Sequence, residues 1–251
     1  MKNMSAKISI ITVCYNSEKT ITRTFESILH QTNQNYEYIV IDGASKDNTL
    51  QIIKEYESKF QGKMTYISES DQGIYDAMNK GIKKGTGELI GILNSDDYYE
   101  SNALEIMELE YEKQKSQGIK DVVLYGSMRS LIDGKEMAIE FYHHDFLGKV
   151  MINHPTCFVS KSVYEKYGMF DTRYKSAADL DLMMRLFKKT DTAFVPVYEV
   201  ITNFERGGMS STGTGSVEAA MIRYEYGLVP KKRVYYEKLH AWVVRIGKRK
   251  K

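Results

Sequence analysis

The chain of 251 residues carries 35 Lys and Arg against 33 Asp and Glu, a formal net charge of +2, and 42% of its residues are hydrophobic. This length suits one large domain with a sizeable core, and the presence of only three prolines argues against disordered linkers. No run of about 18 apolar residues is present to span a bilayer. The first residues lack a signal-peptide pattern, and two cysteines make no disulfide or metal framework.

Apolar runs and amphipathic segments alternate through the first half of the chain. We predict, in chain order, a strand over 8–13, a helix over 17–31, a strand over 36–41, a helix over 47–60, a strand over 64–67, a helix over 74–84, a strand over 89–93, a helix over 102–117 and a strand over 121–125. This order predicts an α/β fold with a mostly parallel sheet.

The pattern changes after about residue 126. We predict a hairpin over 129–142 that turns at Asp133-Gly134, a short helix over 162–167, an amphipathic helix over 176–189 and strands over 192–196 and 200–204. Residues 207–215 are rich in Gly, Ser and Thr, which predicts a mobile loop.

A basic tail ends the chain. Residues 228–251 hold nine Lys and Arg and one acid, Glu237, so the tail carries +8 and residues 1–227 carry −6. Aromatic side chains such as Tyr235 and Trp242 accompany the cations on a predicted helix, which is typical of binding to an anionic membrane surface. A solvated terminal helix is the alternative. The acidic body argues against nucleic acid as a partner.

The most informative motif is Asn94-Ser95-Asp96-Asp97, directly after the apolar run 89–93. In an open α/β sheet, ligands bind at the edge formed by the carboxyl ends of the strands. Two carboxylates there repel each other unless a cation lies between them, and a divalent metal with oxygen ligands is the simplest partner. An acidic turn that caps the next helix is the alternative.

Three further segments place polar side chains at predicted strand ends. Tyr15 offers a face on which a base can stack, and Asn16 offers amide contacts. Asp42 is suited to accept the imide hydrogen of uracil, and Gly43 allows close approach of the backbone. Residues 69–81 are dense in polar groups for a stretch that feeds a helix. For the first two segments, capping of the next helix is the alternative.

Together and in this order, the segments ITVCYN, IDGASKDNT, ESDQGIYDAMNKGI and LNSDD resemble glycosyltransferase family 2, which has the GT-A fold. The resemblance covers roughly residues 7–212 and is closest to bacterial transferases of O-antigen, capsule and exopolysaccharide assembly. It implies a single Rossmann-like, mostly parallel sheet flanked by helices, with a smaller mixed region on the acceptor side. Residues 1–125 would bind the nucleotide sugar, 126–227 would hold the acceptor and the catalytic base, and 228–251 would form the basic helical tail.

The resemblance also implies roles for individual residues. It places the nucleotide at Thr12, Tyr15, Asn16, Asp42, Ser45, Asp71, Asn79, Asn94 and Ser95. Asp96 would hold Mn²⁺ or Mg²⁺ on the diphosphate. The family usually has Asp where this chain has Asn94, so we expect a modest metal affinity.

The catalytic base is implied at Asp179. Residues 176–185 match an acidic pair ahead of an apolar helix in the family, with Ala178 in place of the first acid. A capping box formed by Ser176 and Asp179 is the alternative. The two readings are compatible, because a helix N-terminus keeps a carboxylate ionised.

Softer candidates for the acceptor side are Asp97, His154, Asp181, Gly207 and Gly208. For Asp181 a structural role is the alternative, and for the two glycines a surface loop is the alternative to one that closes over the donor. His143 and His144 are interpreted as a surface pair.

The resemblance implies an inverting, metal-dependent transfer of a sugar from a UDP-sugar to a hydroxyl group of a saccharide, by a hexosyl- or N-acetylhexosaminyltransferase. We expect a polyprenyl-diphosphate-linked acceptor in surface polysaccharide synthesis, and a cytoplasmic protein peripheral to the inner face of the membrane. A GDP- or dTDP-sugar donor and a catalytically silent sugar-nucleotide-binding protein are the alternatives.

Overall fold

The structure is a computed structural model that describes residues 8–206 and 214–248. Within those residues, nine strands form one sheet in the order β3-β2-β1-β4-β8-β6-β9-β5, with β7 paired to β6. The strands are β1 (Ile8–Cys14), β2 (Tyr36–Asp42), β3 (Met64–Ser68), β4 (Leu89–Ile92), β5 (Tyr98–Tyr99), β6 (Val122–Ile132), β7 (Lys135–Glu140), β8 (Phe158–Ser160) and β9 (Ala193–Glu205). The helices are α1 (Ile21–Leu29), α2 (Thr49–Glu57), α3 (Ile74–Lys84), α4 (Ala103–Ser116), α5 (Lys161–Tyr167), α6 (Ala178–Lys189), α7 (Thr214–Glu225) and α8 (Lys231–Lys248).

The first half of the sheet, from β3 to β4, is parallel. Its register pairs Asp42 with both Cys14 and Ser68, and pairs Ile11 with Ile92. All four strands therefore end at one edge of the sheet, and the four polar loops of the sequence leave from that edge.

The second half of the sheet is mixed. β8 is antiparallel to both β4 and β6, β9 is parallel to β6, and the short β5 is antiparallel to β9. The predicted hairpin turn at Asp133-Gly134 is confirmed, and both residues have positive φ angles, of 49° and 72°. The expected α/β fold, with a parallel part and a mixed part, is thus correct.

Several predicted boundaries were wrong, among them the end of the strand predicted over 121–125, which continues to Ile132 as β6. The strands predicted at 192–196 and 200–204 are one strand, β9, because a shift in register between Tyr125 and Ser127 of β6 lets β9 continue past Pro196. The helix predicted from residue 17 begins at Ile21, and the N–H of Ser17 instead donates to Oγ1 of Thr49, the first residue of α2. The predicted loop 207–215 overlaps the start of α7, and its first seven residues lie outside the described part of the chain.

Helices cover both faces of the sheet. Ile8, Ile10 and Cys14 of β1 belong to a buried cluster with α1, α2 and α4, whereas Ile11 and Val13 belong to a second cluster with α3, α5 and α6. This alternation follows the period of two in a strand. Because both faces are covered, the parallel strands are continuous apolar runs.

Candidate active site

The loops after β1 and β2 are bonded to each other. Asn16 has a positive φ of 51°, its N–H donates to Oγ of Ser45 at 2.8 Å, and its Oδ1 accepts from the N–H of Lys46 at 2.7 Å. Asn tolerates this left-handed conformation better than most residues. The amide of Asn16 therefore fixes the loops that border the strand ends, and Ser45 takes part in the same bonds.

A cradle lies between these loops and the segment after β3, formed by Tyr15, Gly43 and Asp71. The side chain of Tyr15 is 59% exposed. A Cβ atom added at Gly43 would lie 2.6 Å from Oδ2 of Asp71 and 3.5 Å from Cδ2 of Tyr15. Gly43 thus keeps open the space between a flat ring and a carboxylate, which is the shape and chemistry that a nucleoside needs.

Asp42 is fully buried beside this cradle. Its Oδ2 accepts from Oγ of Ser68 at 2.6 Å, and its Oδ1 accepts from the hydroxyl of Ser45 and from Sγ of Cys14 at 3.8 Å. Burial, and then the charge of Asp42, raise the pKa of the Cys14 thiol, which stays protonated as a donor. Asp42 is therefore held by its own chain, and contact with a base requires one of these partners to turn away.

Thr12 and Asn79 lie inside the fold. Thr12 is fully buried, and its Oγ1 accepts from the hydroxyl of Tyr38 at 2.9 Å. Nδ2 of Asn79 donates to the carbonyl of Phe170 at 2.9 Å, and its Oδ1 accepts from the N–H of Phe170 at 3.0 Å. Both side chains are buried and bonded to other parts of the fold.

The loop after β4 holds two buried oxygens that lack a hydrogen-bond partner among the described residues: Oδ1 of Asn94 and Oδ1 of Asp97. Nδ2 of Asn94 donates to the other oxygen of Asp97 at 3.3 Å. Oγ of Ser95 lies 2.8 Å from Oγ of Ser17. Buried polar atoms normally have a hydrogen-bond partner. These two oxygens are therefore available to accept a hydrogen bond or to coordinate a cation.

Electrostatics in this loop favour a cation. Burial raises the pKa of Asp96, which the charge of Arg23 opposes, and burial and then the charge of Asp96 raise the pKa of Asp97 well above its usual range. A hard divalent cation takes carboxylate and amide oxygens as ligands. Asp96, Asp97 and Asn94 therefore fit Mn²⁺ or Mg²⁺ by their donor chemistry.

Arg23 is a residue that the sequence did not single out. Its Nη2 donates to the carbonyl of Asp96 at 3.1 Å, and its Nη1 lies 3.3 Å from Oε2 of Glu205, at the end of β9. Its guanidinium also lies 4.5 Å from the centre of the Tyr98 ring. A cation near the start of a predicted helix gives no signal of this contact, because it depends on the packing of α1 against the loop after β4.

Asp179 lies in the first turn of α6, half-buried. Its Oδ1 accepts a hydrogen bond of 3.0 Å from the hydroxyl of Tyr75 on α3. The capping box considered for Ser176 is not formed, because the N-cap of α6 is Ala177, which has no capping side chain. The carboxylate of Asp179 on α6 is thus oriented by a hydrogen bond from α3.

His154 lies near Asp179. Burial lowers the pKa of His154, and the charge of Asp179 opposes this effect. The centre of its ring is 5.7 Å from that of Phe170. His154 is therefore close enough to Asp179 for the charge of that carboxylate to raise its pKa.

Glu218 of α7 holds the segment that precedes α6. Its carboxylate accepts from the N–H of Lys175 at 2.9 Å and from the N–H of Ser176 at 2.7 Å. Nothing in the sequence indicated this contact, which joins residues about 40 positions apart. It ties the position of Asp179 to α7.

The other acceptor-side candidates are placed as follows. Asp97 is fully buried within the loop after β4. Oδ2 of Asp181 lies 3.8 Å from Nε of Arg185, whose Nη2 donates to the carbonyl of Met169 at 2.6 Å, so Asp181 takes part in a structural contact. Gly207 and Gly208 lie outside the described residues.

His143, His144 and Asp145 form a second group that could hold a metal, with ligand atoms within 4.8 Å of one another. Nδ1 of His144 is 2.6 Å from the hydroxyl of Tyr125, and burial lowers the pKa of His144. This group follows β7, whereas the oxygens of Asn94, Asp96 and Asp97 follow β4, at the carboxyl edge where ligands of such sheets bind.

Comparisons with known proteins identify the family of the chain. The family model for glycosyl transferase family 2 matches residues 9–168, which is more than half of the chain. A glycosyltransferase of PGL/p-HBAD biosynthesis from Mycobacterium bovis is 28% identical over 207 residues, covering 81% of this chain and 79% of that protein.

Solved structures share the fold. S. aureus TarS residues 1–349 in complex with UDP-GlcNAc match with a TM-score of 0.71 and 21% identity, over 92% of this chain and 69% of that one. The longer TarS structure is matched over 41% of its chain. The mannosyltransferase PcManGT from Pyrobaculum calidifontis, in complex with GDP-Man and Mn²⁺, matches with a TM-score of 0.65 and 14% identity, over 96% of this chain and 70% of that one. The chain therefore belongs to glycosyl transferase family 2, and it is a glycosyltransferase with the GT-A fold.

Proposed function

We propose that the protein transfers a sugar from a UDP-sugar to a hydroxyl group of a saccharide acceptor, with inversion at the anomeric carbon. The observation that carries this proposal is the pair of unpartnered oxygens of Asn94 and Asp97 beside Asp96, at the carboxyl edge of the parallel strands. Oxygen atoms of this kind are suited to coordinate the divalent cation that accompanies a nucleotide diphosphate.

The cradle of Tyr15, Gly43 and Asp71 supports a nucleoside at the same edge. TarS, which shares the fold, has been solved with UDP-GlcNAc, which favours UDP as the nucleotide. GDP is the second candidate, because PcManGT has been solved with GDP-Man. Thermal stabilisation by UDP, GDP and dTDP, each with Mn²⁺, tests the choice, since a ligand that binds only the folded state raises Tm.

Asp96, with Asn94 and Asp97, would hold Mn²⁺ or Mg²⁺. When bound there, such a cation would stabilise the negative charge of the leaving diphosphate. In this proposal the cradle binds the nucleoside, and the hydrogen bond from Arg23 orders the backbone at Asp96.

Asp179 is the proposed base. It takes the proton of the acceptor hydroxyl as that oxygen attacks the anomeric carbon from the face opposite to the diphosphate. The C–O bond to the acceptor forms, the C–O bond to the diphosphate breaks, and no covalent enzyme intermediate is needed. One such displacement inverts the anomeric centre. Tyr75 keeps one carboxylate oxygen oriented.

We place the acceptor at an anionic membrane surface on the cytoplasmic side, as a saccharide linked to polyprenyl diphosphate and used in surface polysaccharide synthesis. The support is α8, where Tyr235, Leu239 and Trp242 are each about 60% exposed and share one face of the helix at i, i+4 and i+7. Val234 and Glu237 on the other side are buried. Binding in the plane of the interface is the proposed mode, because a helix with an exposed apolar face and many cations lies along an anionic membrane surface. Within the described residues, no helix has the length and apolarity needed to span a bilayer.

A catalytically silent sugar-nucleotide-binding protein is the alternative class, because Asn94 and Ala178 replace acids of the family pattern. Release of UDP from a UDP-sugar, measured with Mn²⁺ and with polyprenyl-diphosphate-linked saccharides as acceptors, distinguishes the two. Acceptor-dependent release supports the transferase. Binding of UDP without release under any acceptor supports the silent protein.

A further inference from the structure

Helices α7 and α8 and the backbone at Gly148 and Lys149 border a groove of about 820 Å³. None of its lining residues belongs to the candidate active site. A ligand bound in this groove would therefore be distinct from the ligands of the candidate active site.

The groove is basic. Its lining includes the cations Lys149, Arg223, Lys232 and Arg233, and one acid, Glu237. Glu237 pairs with Arg233, with Nη2 and Oε1 separated by 2.5 Å. Among the described residues of the lining, Glu237 is thus the one acid and is engaged by one of four cations, so the lining keeps an excess of positive charge.

Arg223 is held in place at the floor of this groove. Its Nε and Nη2 donate to the carbonyls of Gly148 and Lys149, each at 3.1 Å. Burial, and then the charge of Arg233, lower the pKa of Arg223. Arg223 is half-buried and Arg233 is exposed, and both line the groove. Neighbouring guanidinium groups are stabilised by an anion, and phosphate oxygens match their donors well.

One wall of the groove is apolar and continues toward the exposed face of α8. Leu228, Val229 and Pro230 form that wall, and Tyr236 of α8 closes it. On the same helix, the side chains of Tyr235 and Leu239 are exposed. A cationic floor with an apolar wall, next to an amphipathic helix, matches the headgroup and glycerol region of a phospholipid.

We propose that this groove binds the phosphate headgroup of an anionic membrane lipid. The lipid phosphate lies among Lys149, Arg223 and Lys232, and its glycerol region packs against Leu228. This inference rests on the proposed membrane association and deepens it, because it assigns the headgroup a defined site instead of a diffuse attraction to negative charge.

The test compares two double variants with the same loss of charge. Lys149→Gln with Lys232→Gln removes two cations of the groove, whereas Lys231→Gln with Lys238→Gln removes two exposed cations of α8 that do not line it. Binding of the full chain is measured with phosphatidylcholine vesicles that contain phosphatidylglycerol, and with vesicles of equal surface charge that contain the carboxylate lipid cholesteryl hemisuccinate. Glutamine at exposed positions leaves folding intact, which circular dichroism verifies.

We expect the unmodified protein to prefer the phosphatidylglycerol vesicles. The groove variant loses about thirtyfold in affinity for them, at about 1 kcal/mol for each lysine removed, and no longer distinguishes the two kinds of vesicle. The control variant weakens binding to both kinds equally and keeps the preference. Equal effects of the two variants, or no preference in the unmodified protein, would overturn the groove site alone. Failure of the unmodified protein to bind any anionic vesicle would overturn the membrane association as well.

Discussion

The hydroxyl of Tyr75 donates a hydrogen bond of 3.0 Å to Oδ1 of Asp179, across 104 positions of the sequence. Tyr75 lies on α3, shortly after the cradle residue Asp71, and Asp179 lies on α6, in the half of the chain that we propose holds the acceptor. Burial, and then the charge of Asp179, raise the pKa of Tyr75. Tyr75 is therefore a permanent donor that fixes the proposed base relative to the proposed donor site.

Replacement of Tyr75 by Phe removes this bond and keeps the ring. We expect kcat to fall by about fivefold, the equivalent of one hydrogen bond of roughly 1 kcal/mol, with the Kd for UDP unchanged. Tyr164→Phe is the matched control, since Tyr164 is a buried tyrosine of the same cluster whose ring lies 6.5 Å from that of Phe170. Steady-state kinetics of both variants decide the matter, and equal kcat values for the two would remove Tyr75 from the mechanism.

Asp97→Asn should stabilise the protein without metal and weaken its response to metal. Because burial, and then the charge of Asp96, raise the pKa of Asp97, the folded state keeps a proton that the unfolded chain loses above about pH 3.9. The stability of the metal-free protein therefore falls as pH rises from that value through the raised pKa of Asp97. Asparagine avoids this loss, and we expect Tm at neutral pH to rise by about 3 °C per kcal/mol recovered.

Asn94→Asp is the opposite change in the same loop. It adds a carboxylate beside Asp96 and Asp97, so we expect a lower Tm without metal and a larger rise on addition of Mn²⁺. Thermal unfolding with and without Mn²⁺ measures both variants. If both respond to Mn²⁺ as the unmodified protein does, this loop does not hold the metal.

Leu239→Glu should release the protein from anionic vesicles, because it places a charge in the exposed apolar face of α8. His240→Glu adds the same charge one residue further along the helix, where the exposed side chain lies outside the face formed by Tyr235, Leu239 and Trp242. Co-sedimentation with vesicles measures both. We expect a much larger loss for Leu239→Glu, since burial of one such side chain contributes about 2 kcal/mol. Equal losses would reduce the role of α8 to charge alone.

The convergence of the polar loops was predictable, because parallel strands that follow one another in an α/β order end at a common edge. The positions of Thr12 and Asn79 were not. In β1, Thr12 alternates with residues that are buried on the other face, so an alternating pattern carries no signal of which polar side chain reaches a ligand. Asn79 sits on an amphipathic helix, and only the packed structure places the backbone of Phe170 against it.

Contacts between segments that are distant in the sequence could not be predicted either. The bonds from Glu218 to the backbone at Lys175 and Ser176 depend on how α7 packs, and α7 itself begins where the composition predicted a loop. The capping box at Ser176 followed a sequence signature that the structure does not use, since α6 begins one residue later than that signature requires.

The most direct measurement is the turnover of Asp179→Asn, with Asp181→Asn as the control. Asparagine keeps the shape of the side chain but cannot take a proton, so acceptor-dependent release of UDP should fall by about 10²- to 10⁴-fold, while titration gives an unchanged Kd for UDP and Mn²⁺. Asp181→Asn disturbs only the contact with Arg185 and should retain most of the turnover. Near-normal turnover of Asp179→Asn would contradict the assignment of the base and, with it, the proposed mechanism.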